Sequence, residues 1–205
     1  MADFQNYDWS PFELQSPIWI IPDVCVCLEG VPHPQGAFVI SLRRSMVFGT
    51  GGHPATRAIL IKLLHKELDE RIRVVDFWCG SGLLGIVCAK FGCDVVHIDN
   101  NEAAITEAIE NGLINDCVIS IDEQAKTAAT RKIPKCDLLV THQASLKKLK
   151  TELPAIHALL KSGGTFMLSG WKPSAHRQVK NQVSEFFEIE EVDDLMNWPV
   201  ITARK

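Results

Sequence analysis

The residues best placed to do chemistry lie between positions 74 and 99. Val74-Val75-Asp76-Phe77 is an apolar run with one acid inside it, and Trp78-Cys79-Gly80-Ser81-Gly82-Leu83 follows as a glycine-containing turn. Glycines let a backbone approach a ligand closely, and the helix expected after Gly82 would offer N–H groups at its start. Asp99 closes the next apolar run. A carboxylate there can accept both hydroxyls of a ribose. This spacing suits the binding of a nucleotide-like cofactor, and the bland alternative is a ligand-free turn between a strand and a helix.

Two cofactor classes compete for the pattern. Gly80, Gly82 and Gly85 meet the G-x-G-x-x-G spacing of a dinucleotide site. Asp76, just ahead of the loop, instead suits the D-x-G-x-G-x-G form of methyltransferase loops.

Helical spacing starts at Pro54 and runs through Ile59, Leu63 and Leu68. Strands are expected over 73–77, 94–99, 117–121, 137–141 and 164–169. Helices are expected over 83–91 and 102–115, the second with Ala104, Ile105, Ala108 and Ile109 inward, and from Leu146 to Leu160 with a kink at Pro154. After a helix marked by Val179 and Val183, strands over 186–192 and 199–203 follow too closely for a crossover, so the last one should run antiparallel. Alternation of strand and helix means a parallel sheet covered on both faces. The antiparallel end again favours a methyltransferase. Residues 1–45, with five of the ten prolines, look like an arm packing on this body. Ile18–Ile21 and Ala37–Ile40 flank a turn-rich stretch there, as in a hairpin.

Composition limits the function classes. The 205 residues are 46% hydrophobic and 22% charged, which fits one globular domain and excludes a disordered chain. No apolar run approaches a membrane helix, and the first residues do not open a signal peptide. The net charge of −4 gives no global attraction to nucleic acid. Seven cysteines lack a C-x-x-C pair, so buried free thiols in a cytoplasmic setting are expected, with no metal site.

More specific runs are Trp19-Ile20-Ile21-Pro22, Phe48-Gly49-Thr50-Gly51-Gly52-His53-Pro54-Ala55-Thr56, Ile98-Asp99, Glu110-Asn111, Leu160-Lys161-Ser162-Gly163-Gly164, Leu168-Ser169-Gly170, and Trp198 with terminal Ala203-Arg204-Lys205. With these the chain resembles the catalytic domain of the PrmA family, which methylates lysines of large-subunit stalk protein eleven. The resemblance implies an α/β fold: a Rossmann-like, seven-stranded class I methyltransferase sheet with its last strand antiparallel. The methyltransferase domain would span 46–205, behind the short N-terminal hairpin arm. It implies S-adenosylmethionine as cofactor and a protein amino group as acceptor, with a ribosomal protein the first candidate. Members normally carry a small N-terminal recognition domain, for which this chain leaves no room.

Carried over position by position, the resemblance places Thr56 and Asp99 on the cofactor, with Asp76, Gly80 and Gly82 around it. Trp78 stands where the family has its first loop glycine. His142-Gln143-Ala144 stands where the family has Asn-Ile-Leu, so His142 takes the place beside the methionine end and becomes the candidate catalytic residue. Arg43 or Arg44 stands where the family shows an aspartate. A methyltransferase fold kept as a silent binding module is the alternative function, because Trp78 and His142 are both larger than what they replace. His53 reads as a turn residue that could approach the pocket, and Asp122 as a surface turn or an adenine contact. Lys147, Lys148 and Lys150, with Arg131, Lys132 and Lys135, read as a solvated face ahead of an RNA contact. Direct nucleic-acid binding and membrane association are not expected.

Overall fold

The structure, a computed structural model, describes residues 16–44, 47–121, 133–143 and 145–205. Its central strand is β4 (Arg73–Phe77), whose last four residues are buried, as a strand covered on both faces requires. Parallel to it on one side lie β5 (Asp94–Ile98) and then β6 (Ser120–Ile121). On the other side come β7 (Cys136–His142) and β8 (Leu160–Ser169), also parallel. The final strand, β10 (Trp198–Arg204), inserts antiparallel between β8 and β9 (Glu188–Leu195). The order of the seven-stranded sheet is therefore β6-β5-β4-β7-β8-β10-β9. Chain order reverses at β4, and in open sheets of this kind ligands bind beyond the carboxyl ends of strands at that reversal.

Helix α1 (Pro54–Leu64) starts with proline at its first position, and the His53 ring caps it by accepting the Ala55 N–H at 3.1 Å. Helix α2 (Leu83–Lys90) leaves the glycine loop, and α3 (Glu102–Ile114) follows β5. Helices α4 (Leu146–Leu159) and α5 (His176–Ser184) follow β7 and β8. Val74, Val140 and Met167 pack with α1 and α2 on one face. Val75, Leu139 and Phe166 pack with Leu149 and Leu153 of α4 and Val179 of α5 on the other. Each such side chain contributes about 1.5–3 kcal/mol when fully buried.

The N-terminal hairpin is formed by β1 (Ile18–Ile21) and β2 (Val24–Leu28), and β3 (Phe38–Leu42) adds to β2 in parallel. The two runs expected to flank a turn-rich stretch thus have a third strand between them. All five residues of β2 are buried, so it lacks the alternation that marks a half-exposed strand. Val26 and Ile40 join the same core as Leu60 and Leu83. Six of the seven cysteines are buried, and burial pushes thiols such as Cys25 and Cys93 up to about 11.

Helix α3 turns differently from expectation. Its buried residues are Ala104, Glu107, Ala108, Asn111 and Gly112, while Ile109 is exposed. Asn111 and Asn115, one turn apart, take the inward positions because backbone groups need them there. Asn115 Oδ1 accepts the Ser41 N–H at 2.9 Å, and Asn111 Oδ1 accepts the Arg43 N–H at 2.8 Å. Arg43 also pairs with Glu110 of the same helix. Among the described residues, no helix is long and apolar enough to cross a membrane.

Candidate cofactor cleft

The loop from β4 to α2 packs three left-handed residues into five positions: Trp78 at φ 58°, Gly80 at 54° and Gly82 at 79°. Gly80 is needed for a second reason, since a Cβ on it would lie 2.6 Å from the Phe48 carbonyl oxygen. Sequence reasoning expected free N–H groups at the start of the helix after Gly82; those of the loop ahead of it, the four from Cys79 to Gly82, are all spent inside the fold. Cys79 donates to the Ile98 carbonyl at 3.0 Å, Gly80 to Asp99 Oδ2 at 3.1 Å, Ser81 to the Phe48 carbonyl at 3.0 Å, and Gly82 to the Cys79 carbonyl at 2.9 Å. A loop of that kind has little left for a phosphate.

Asp76 is buried, and its Oδ2 accepts the Gly85 N–H at 2.9 Å. Burial, with the nearby charge of Asp99, pushes its carboxyl up to about 7. Behind it, His97 Nε2 lies 3.3 Å from the Gly82 carbonyl, which can only accept, so that nitrogen carries the proton. Burial holds His97 down at about 4. A Cβ on Gly85 would come within 2.2 Å of this ring, so the third glycine of the spacing serves packing. Asp99 Oδ1 accepts the Asn101 N–H at 3.0 Å. With one N–H on each oxygen, its carboxylate keeps a lone pair on each for other donors.

The segment from Val47 to Gly52 lies across the loop. The Ser81 hydroxyl donates to the Gly49 carbonyl at 2.8 Å, and Asn111 Nδ2 donates to the Ser81 carbonyl at 2.9 Å. On the far side, the Thr141 hydroxyl donates to the Phe77 carbonyl at 2.6 Å and fastens the ends of β4 and β7 together. His142 follows at the last position of β7, its ring 4.8 Å from that of Phe48 and 6.0 Å from that of His53. His53 packs in turn on Trp198 at 4.6 Å. Burial pushes His53 down to about 4 and, with His53 beside it, His142 down to about 3. Both rings are neutral near pH 7.

Thr56, Asp76, Trp78, Gly80 and His142 line one cleft together with Phe48 and Ser81. Gly82 and Asp99 stand beside it: Gly82 caps α2 against Ala108 of α3, and Asp99 holds the Gly80 N–H. The indole of Trp78 lies edge-on to Phe77 at 4.6 Å and packs against the core on the α4 side. Two buried polar atoms in the lining, Thr56 Oγ1 and His142 Nε2, have no hydrogen-bond partner among the described residues. Asp122 and Ala144 lie outside the described residues. Sequence reasoning passed over Ser81 and the inward role of Asn111. A serine between two loop glycines was the only local signal.

The sheet order, the reversal at β4 and the glycine loop backed by two acids define a class I methyltransferase fold. The chain matches the family described as ribosomal protein L11 methyltransferase (PrmA) over residues 2–205 and belongs to that family. A ribosomal protein L11 methyltransferase of Janthinobacterium sp. (strain Marseille) is 28% identical over 197 residues, covering 96% of this chain and 61% of the relative. The chain thus spans about three fifths of the length of that curated relative. The crystal structure of a ribosomal protein L11 methylase from Lactobacillus delbrueckii subsp. bulgaricus superposes with a TM-score of 0.78 at 21% identity, covering 92% of this chain and 98% of that one. A 16S rRNA N2-guanine methyltransferase from T. Thermophilus, solved with AdoMet and guanosine, reaches 0.63 at 21% identity over 78% of this chain and 45% of that one.

Proposed function

We propose that the chain transfers a methyl group from S-adenosylmethionine to an amino group of a protein, with ribosomal protein L11 as the leading acceptor, in the cytoplasm. The observation that carries this reading is the pair of unpartnered buried atoms, Thr56 Oγ1 and His142 Nε2, in one cleft at the sheet reversal. The spent N–H groups of the loop support it as well. A nicotinamide dinucleotide brings a pyrophosphate that needs such donors, whereas S-adenosylmethionine has none. Asp99 would take the ribose hydroxyls on its remaining lone pairs, and Thr56 and His142 would meet the polar groups of the cofactor's methionine end and of the acceptor. The bound cofactor supplies an electrophilic methyl on a sulfonium.

The chain's own task is then to orient a neutral amine. A lysine with a pKa of about 10.4 reaches that form near neutral pH at a cost of roughly 4 kcal/mol. Held down at about 3, the His142 ring does not store the amine's proton. It accepts a hydrogen bond at Nε2 and so directs the lone pair of the amine, a contribution of alignment. Phe48, packed on that ring, covers the cleft from solvent.

The reading of the chain as a silent binding module draws on Trp78, whose side chain lines the cleft from a left-handed backbone. Calorimetric titration of S-adenosylhomocysteine into the chain separates the two. Micromolar binding, weakened by about tenfold or more in Asp99→Ala as two hydrogen bonds to a charged group are lost, together with label transfer to L11, is expected. Binding that Asp99→Ala leaves unchanged would sink the proposed cofactor placement.

A further inference from the structure

The chain carries a net charge of −4, yet six of its 21 lysines and arginines gather in one place. Lys147, Lys148 and Lys150 are exposed at the start of α4, and Lys172, Arg177 and Lys180 are exposed just before and within α5. β7 and β8 are parallel neighbours, so the helices that follow them begin at the same end of the sheet, and α4 packs against α5. The six cations therefore stand beside the carboxyl ends of these two strands. His142 ends β7 there, and Gly170, just past β8, packs against its ring.

The described residues give no internal reason for them. A helix start already carries positive partial charge, so acids are favoured there and cations disfavoured. Neither α4 nor α5 has an acid in its first turn. None of the six forms an ion pair among the described residues, whereas Lys62, Arg73, Lys161 and Arg204 all do. A local rule broken without compensation among the described residues points to something outside them. The nature of that partner follows from what the face lacks. No large hydrophobic residue from 145 to 187 is exposed among the described residues. Protein interfaces draw their affinity from buried aromatic and apolar anchors, and membrane-surface helices insert an apolar face. A phosphate backbone needs only the cations.

We infer that the α4–α5 face beside the cleft is a docking surface for the phosphate backbone of RNA. The choice of RNA among polyphosphates rests on the ribosomal acceptor proposed above; the charge argument does not. This replaces the expectation of a merely solvated face. It also divides the basic neighbourhood expected from sequence: Lys135 precedes β7 at the opposite end of the sheet, and Arg131 and Lys132 lie outside the described residues.

The test is fluorescence anisotropy of the whole chain with a labelled RNA hairpin between about 50 and 200 mM KCl. Two charge-reversal variants accompany it, K147E/K148E/K150E and K172E/R177E/K180E, each checked for folding by thermal melt. Log affinity should fall against log salt with a slope of roughly −4 to −5, as about six phosphate contacts give. Each variant should bind at least about tenfold more weakly while titrating S-adenosylhomocysteine like the parent. The proposal is overturned by no RNA binding at low salt, by parental affinity in whichever variant folds, or by equal competition from polyglutamate or anionic vesicles. Loss of S-adenosylhomocysteine binding in the parent with RNA binding intact would count against the cofactor reading alone.

Discussion

Trp78 sits at φ 58°, where a side chain costs about 1–2 kcal/mol. Its indole lines the cleft and leans on Phe77. Trp78→Gly relieves the backbone and clears the lining, so S-adenosylhomocysteine should bind about tenfold more tightly, a gain of about 1.4 kcal/mol. Calorimetry on the two chains checks this, and unchanged affinity would mean that the indole already stands clear of the ligand. At this scale much of the site was legible. Asp76, Gly80 and Asp99 announced themselves because acids and glycines at strand ends have few other uses. The burial that pushes Asp76 up to about 7 was not legible, since it depends on which other segments stack around the carboxyl.

Helix α3 shows how an element can be right in place and wrong in face. Its span follows from the sequence, and the Asn101 side chain caps it by accepting the Ala103 N–H at 3.0 Å. Periodicity, however, pointed Ile109 inward. The asparagines displaced it because Asn111 joins the Ser81 carbonyl to the Arg43 N–H, clamping the glycine loop to the strand that leads into the covering segment. Asn111→Ala would leave the buried Ser81 carbonyl and the part-buried Arg43 N–H without a partner, at about 2–4 kcal/mol. The melting temperature should drop by roughly 5–10 °C in a chain of this size, with weaker S-adenosylhomocysteine binding as the loop loosens. Ile109→Ala, on the exposed side, should change stability by no more than about 0.5 kcal/mol. Equal effects from the two substitutions would refute the clamp.

The molecule as a whole carries opposing titrations. His53 and His97 are held down at about 4 and His142 at about 3, below the usual 6.5. The unfolded chain therefore binds protons on them that the native chain does not, and stability is lost as pH falls from about 6.5 towards those values. Asp76 works the other way. Its native value of about 7 lies above the ordinary 3.8, so its carboxyl favours the fold at low pH and penalises it as pH rises through that window. Three histidines outweigh one acid. Thermal melts should therefore show stability falling from pH 7 to pH 5. Asp76→Asn, which keeps an oxygen for the Gly85 N–H, should steepen that fall and stabilise the chain above pH 7; a flat profile in the parent would contradict the assignment.

At this scale the sequence determined the alternation of strand and helix, the antiparallel last strand, the glycine loop after β4 and the acid that follows β5. Each of these is written in local periodicity, in turn residues or in connection length, which neighbouring residues settle among themselves. Only the tertiary structure decided that β2 separates β1 from β3, that asparagines rather than isoleucine face inward from α3, and that the loop spends its own N–H groups. It also brought Thr56 and His142 to one cleft and two lysine-bearing helix starts to one edge. These outcomes depend on which buried backbone groups must find partners across the fold, a condition set by residues far apart in the chain.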